Sequence, residues 1–209
     1  MLKSVFSFFF GLTFIGLLTA QSAQDWLNKV NNTYQKTTSY YIKFEVQSSE
    51  EPNQVEVGEL YAVKEKYSLH IMDILQMYDG KSLYTISKAD KEATISKPTP
   101  ESDDFLTPTK ILGMYQLDYK ADLDKSTTVA GKKIQWIKLT PIKTSEINYI
   151  SVGIDTQTNT LVDYKEYYKN GSSRSIAVKD YLENLIIPRA LFKFDQSKYE
   201  KDGYIVTHL

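Results

Sequence analysis

Three observations predict a mostly β chain. Apolar side chains recur at every second position in segment after segment, turn-forming pairs such as Asp79-Gly80 and Asn170-Gly171 punctuate them, and only two stretches have helical spacing. The first of these, residues 25–36, places Trp26, Val30 and Tyr34 four residues apart behind Asp25, whose side chain can cap the opening turn. From Tyr40 the period switches to two. Ile42, Phe44 and Val46 share one side of an extended chain, while Lys43, Glu45 and Gln47 take the other. After the Pro52-Asn53 turn come the short strands QVEVGELYAV, KYSLHIM, QMYD, SLYTIS and EATIS. They are separated by Lys64-Glu65-Lys66, by Asp73 and by Asp79-Gly80, which suits the positive φ of a tight hairpin turn. This is the pattern of an antiparallel meander. Beyond the loop KPTPESDD, Thr107 caps and Pro108 opens a second helix over residues 108–117, with Ile111, Leu112, Met114 and Tyr115 on its apolar face. Strand patterns resume with KIQWIKLTP, INYISVGID, TLVDYKEYYK and SRSIAVKDYL, and the segments IPRALFKFD and GYIVTHL come last. The sum is about ten to eleven strands and two helices in one unit.

The N-terminus reads differently. Residues 1–20 carry one cation, Lys3, and an apolar run from Val5 to Leu18, followed by small or polar residues. That is the pattern of a secretory signal peptide over residues 1–22, with cleavage between 20 and 24. The expected mature chain, residues 23–209, fits a single domain. It contains no cysteine, so packing alone must hold an exported protein, and no N-terminal cysteine is available for lipidation. The formal net charge is -1, with lysines scattered among acids and no basic stripe, which argues against nucleic acid as a partner.

Catalytic chemistry finds little support. The two histidines stand far apart: His70 alternates within a strand, facing outward, and His208 is the penultimate residue. Without cysteine, they do not suggest a metal site. The acidic pairs Glu50-Glu51 and Asp103-Asp104 sit in polar loops, and no Gly-x-Ser-x-Gly elbow or glycine-rich phosphate loop occurs. No cofactor is implied, and the expectation is a protein that is not an enzyme. What the chain has in surplus is aromatic and aliphatic side chain, including 16 tyrosines. Two readings of that surplus stand side by side: an ordinary barrel or sandwich core, or the wall of a cavity.

Several phrases, in order, resemble the LolA family of periplasmic lipoprotein carriers, in the form found in Bacteroidetes-type bacteria. They are the signal peptide, YYIKFEVQ after the opening helix, GELYAVKEKYSLHI, MYDGKSLYTISKADKEATIS, FLTPTKILGMY and FKFDQSKYEKDGYIVTHL. The resemblance covers the whole mature chain and implies an unclosed, strongly twisted antiparallel β-barrel with a helical lid. It further implies a monomer that shields lipoprotein acyl chains and carries them through the periplasm, from an inner-membrane lipoprotein-releasing ABC transporter to an outer-membrane acceptor. A sensor or adaptor, or a carrier of another lipid, would fit the same fold. Under this resemblance the expected cavity wall is Ile42, Phe44, Val46, Tyr61, Leu69, Ile71, Tyr84 and Trp136, with Ile111, Leu112, Met114 and Tyr115 on the lid. The family places an arginine after its GxLW strand; here GELYAVKEK offers Lys64 or Lys66 as the lid-locking or cargo-contact cation, without the planar fork of arginine.

Overall fold

The computed structural model describes residues 21–98 and 118–209. Helix α1 spans Ala23–Lys36 and starts ahead of its expected boundary because Ser22, not Asp25, is the N-cap. Ser22 Oγ accepts from the Asp25 amide at 3.1 Å, and Asp25 Oδ2 accepts from the Ser22 amide at 2.9 Å, so two donors of the first turn are satisfied reciprocally. These bonds hold the Asp25 carboxyl below the usual carboxylate range. The buried stripe is Ala23, Leu27, Val30 and Tyr34, whereas Trp26 is half-buried with the Lys29 ammonium 4.7 Å above its ring.

Twelve strands form one sheet: β1 (Ser39–Ser48), β2 (Val55–Val63), β3 (Lys66–Ile71), β4 (Ile74–Tyr78), β5 (Leu83–Ser87), β6 (Glu92–Ser96), β7 (Tyr119–Val129), β8 (Lys132–Pro141), β9 (Ile147–Asp155), β10 (Thr160–Tyr168), β11 (Ser173–Glu183) and β12 (Ile205–His208). Their spatial order is β12-β6-β5-β4-β3-β2-β1-β11-β10-β9-β8-β7. Two meanders, β1 to β6 and β7 to β11, therefore meet where β1 pairs with β11, and the ladder carries a bulge between Lys43 and Phe44. All pairings are antiparallel except β12 on β6.

The strand count exceeds expectation because of β7. It lies at the sheet edge with most of its side chains exposed, so no apolar alternation marks it. The segment IPRALFKFD is not a strand. It forms a 3-10 turn (Arg189–Phe192) leading into α2 (Gln196–Lys201), capped by Asp195 Oδ1 on the Lys198 amide at 3.2 Å. The second predicted helix, residues 108–117, lies outside the described residues.

The sheet curls around α1. One buried cluster runs from Tyr67 and Leu83 on β3 and β5, through Leu27, Val30 and Tyr34 of α1, to Ile137, Leu139, Ile150 and Val152 on β8 and β9. In a flat sheet β5 and β8 would lie on the order of 40 Å apart, at about 4.8 Å per strand. Among the described residues no ladder joins β7 to β12, so the barrel is unclosed. A second, smaller core lies on the other face of the first meander: Met77, Ile86 and Ala93 are covered by Phe194, Tyr199, Tyr204 and Val206 from the C-terminal segment.

Tyr34 meets Tyr40 and Tyr181 edge-on around the end of α1, with centroids 5.3 and 5.7 Å away, while Tyr40 and Tyr181 are tilted at 33° to each other. Burial raises the hydroxyls of Tyr34 and Tyr40 well above the ordinary phenol range. In the unfolded chain both ionise near the ordinary phenol value of 10.0, so above that pH the unfolded state sheds protons that the native state keeps. Stability contributed by these two groups is thus complete below pH 10 and declines as pH rises beyond it. Urea midpoints measured between pH 8 and 11.5 should fall from about pH 10 upward, and Tyr34→Phe combined with Tyr40→Phe should flatten that fall.

Candidate functional site

The cluster around α1 fills only one end of the curled sheet. Toward the other end the concave face encloses an open hollow of about 420 Å³. Tyr34 of α1 forms its floor. Ile42, Phe44 and Val46 from β1, Leu60 from β2, and Leu69 and Ile71 from β3 make one wall, and Leu161 and Tyr164 from β10 with Ile176 and Val178 from β11 make the other. The register explains the grouping: Ile42 pairs with Leu60, Leu60 with Leu69, Phe44 with Val178 and Val46 with Ile176, so these side chains project from the same face. Ser48, Glu51, Gln54, Glu56, Met72 and Arg174 surround the mouth.

Gly58 shapes the wall. It stands opposite Phe44, and a Cβ there would fall 2.2 Å from the Phe44 ring, so the ring occupies the space over Gly58 only because the side chain is absent. Near the mouth Glu166, 7% exposed, projects from the concave face. Tyr164 and Tyr168 donate their hydroxyls to its two carboxylate oxygens, and Arg174 Nε donates to Oε2 at 3.2 Å. This accounts for a buried carboxylate beside an apolar wall: three donors replace its water. In return the phenol of Tyr168 is raised, first by burial and then by its bond to Glu166. Asp163, whose side chain lies by Gly153 on the opposite face of β10, is pushed above the usual carboxylate range by burial, with Lys165 opposing.

The structure brings Ile42, Phe44, Val46, Leu69 and Ile71 together on this wall. Tyr61, Tyr84 and Trp136 lie elsewhere. Tyr61 is one residue out of phase with Leu60 and packs on Tyr41, centroids 4.8 Å apart, on the convex face. Tyr84 pairs with Met77, belongs to the second core and stacks on Phe194 at 4.8 Å. Trp136 faces Gly153 and donates its Nε1–H to Thr127 Oγ1 at 2.8 Å, opposite in phase to Ile137. Lys64 and Lys66 are exposed at the β2–β3 turn, where Lys64 takes φ 52°. That turn is at the end of the strands opposite Met72 and the mouth. The cation at the mouth is Arg174, which its strand phase with Ile176 and Val178 makes visible in hindsight. Ile111, Leu112, Met114 and Tyr115 lie outside the described residues. His70 is exposed, with Nε2 3.2 Å from Lys88 Nζ, and no group of three or more acidic or histidine side chains among the described residues could hold a metal.

A single unclosed sheet with an apolar concave side is the arrangement that the LolA resemblance implies, and the first helix occupies one end of that side. The fold is the mostly β, unclosed barrel expected from the sequence. No family model and no curated protein matches the sequence. Among solved structures, an uncharacterized conserved protein from Thermus thermophilus aligns over 90% of this chain and 99% of its own, with a TM-score of 0.64 and 9% identity. A LolA superfamily protein from Nitrosomonas europaea aligns over 84% of this chain and 99% of its own, with a TM-score of 0.39 and 11% identity. MucB of Pseudomonas aeruginosa, in its complex with MucA, aligns over 83% of this chain and 61% of its own, with a TM-score of 0.48 and 14% identity. At such identities the similarity is one of fold.

The Gly58–Phe44 contact can be tested by a double-mutant cycle. Gly58→Ala should drive the Phe44 ring into the hollow at a cost of about 1–3 kcal/mol. In a Phe44→Leu background the same glycine change should cost much less, and urea denaturation of the four proteins measures the difference.

Proposed function

We propose that this chain is a periplasmic carrier that shields the acyl chains of lipoproteins between the inner and outer membranes, and is not an enzyme. The observation that carries the reading is the hollow: among the described residues, a concave wall of aliphatic and aromatic side chains is left open at one end, where α1 stops short of filling it. The need for such a wall is large. A triacylated anchor with about fifteen methylenes per chain exposes roughly 45 of them, and at ~0.8 kcal/mol each water opposes their exposure by on the order of 36 kcal/mol. Residues 1–22 then serve as the export signal, and no helix among the described residues is long and apolar enough to cross a membrane. The resemblance of the sequence to the LolA family implies loading by an inner-membrane ABC transporter and delivery to an outer-membrane acceptor.

Native mass spectrometry of gently purified protein tests the reading. Wild type should carry an acylated adduct, and Ile71→Asp, which puts a charge on the wall near the mouth, should lose it while keeping the wild-type thermal midpoint. Wild type without any lipid adduct would overturn the proposal, and a non-acylated protein partner instead would favour a sensor or adaptor. For the segment of residues 108–117, whose pattern suggests a lid, photo-crosslinkers at Ile111, Leu112 and Tyr115 should capture lipoprotein in cells; silence at all three would remove the lid from the mechanism.

A further inference from the structure

The hollow continues into a second recess of about 280 Å³ beside its mouth, and Ser48 and Arg174 line both. The two differ in chemistry. The larger is walled by aliphatic and aromatic side chains, whereas the smaller is built from Glu50, Tyr168, Asn170, Ser172 and Ser173 with the shared pair. The β10–β11 turn shapes the smaller recess: Asn170 Oδ1 accepts from the Ser172 amide at 2.9 Å and from Ser172 Oγ at 2.8 Å, and Gly171 takes a positive φ of 88°.

Arg174 stands at the boundary between the two. Its Nε–H is directed at Glu166, which is itself fixed by Tyr164 and Tyr168, so the plane of the guanidinium is set from beneath by a buried, fully satisfied carboxylate. The side chain remains 52% exposed. An arginine has five N–H donors in a rigid fork, so the two terminal amino groups remain to receive an acceptor placed where the apolar wall ends. The charge balance narrows the choice of acceptor. Glu166 compensates the guanidinium, and Glu50, Glu51 and Glu56 line the same opening, so a carboxylate or phosphate meets net negative charge while a carbonyl does not. Size narrows the apolar part. A cavity of about 150 Å³ holds benzene, with six carbons. By that measure the 420 Å³ hollow takes on the order of seventeen carbons, the length of one acyl chain.

We infer that the two recesses form one composite site for a neutral acyl lipid, with a single tail in the hollow and an ester or amide carbonyl of its head at Arg174 in the polar recess. The inference rests on the carrier reading and specifies its ligand class. It also departs from a site that would bury all three tails of a triacyl anchor within the described wall.

Three sixteen-carbon probes separate the parts: N-palmitoylglycinamide with a neutral amide head, palmitate with an anionic head, and hexadecane with none. Each is titrated against the full mature chain by displacement of diphenylhexatriene. Wild type should prefer the amide to both others. Arg174→Gln should weaken the amide about tenfold, as expected for a lost charge-assisted hydrogen bond, and leave hexadecane unchanged. Arg174→Lys keeps a cation beside Glu166 and should lose several-fold for the amide, so the test does not depend on the glutamine variant folding. Equal weakening of amide and hexadecane in a folded variant, no change for the amide, or palmitate as the tightest probe would each overturn the head-group subsite. Failure of wild type to bind any probe would instead overturn the carrier reading on which it stands.

Discussion

The structure turns on how a curled sheet and α1 share the interior among the described residues. α1 contributes Leu27, Val30 and Tyr34 to the interior, and those three side chains cover only the end where the tyrosines cluster. Beyond Tyr34 the concave face continues with Ile42, Phe44, Leu69, Ile176 and Val178 and meets no further helix among the described residues. Ile42, Leu60 and Leu69 of that wall are nevertheless buried. A second core lies on the convex face, where the C-terminal segment lays Phe194, Tyr199 and Tyr204 against the first meander. The sheet is thus packed on both of its faces.

Glu166 could not sit beside an apolar wall as a bare anion, and its partners are supplied within the same hairpin: Tyr164 and Tyr168 from its own strand and Arg174 from the next. No buried side-chain nitrogen or oxygen among the described residues lacks a partner. The mouth is therefore a defined polar rim on a hydrophobic pit, and the line between them passes through Arg174.

Much of this was legible in the sequence wherever one face of a strand is buried and the other wet. Ile42, Phe44 and Val46 keep phase through β1, and Leu69 and Ile71 keep it through β3, so their shared wall follows from a period of two. The phase was lost where both faces are apolar. Leu60 and Tyr61 are adjacent, and only the close approach of Gly58 to Phe44 reveals that positions 58, 60 and 62 face inward. Tyr84 and Trp136 misled for the same reason: one is buried by the C-terminal segment and the other by Gly153, both away from the hollow. A charge at a strand position reads as solvent-facing, so Arg174 is passed over although it keeps phase with Ile176 and Val178. Lys64 follows the expected glycine strand, but the hairpin carries it to the opposite end. β7 escaped because an edge strand exposed on both sides has no alternation to find.

The ladder between β1 and β11 bisects the hollow, with Phe44 and Val46 on one side and Val178 and Ile176 on the other. Those partners are far apart in the chain, so neither meander possesses the pit by itself. During synthesis the first meander can pair locally long before β11 exists, and it must then wait with half of a greasy trough uncovered. Contacts of such long sequence separation close late and slowly. A chain broken off before β11 would thus be sticky, with an exposed half-trough on offer to any apolar surface it meets.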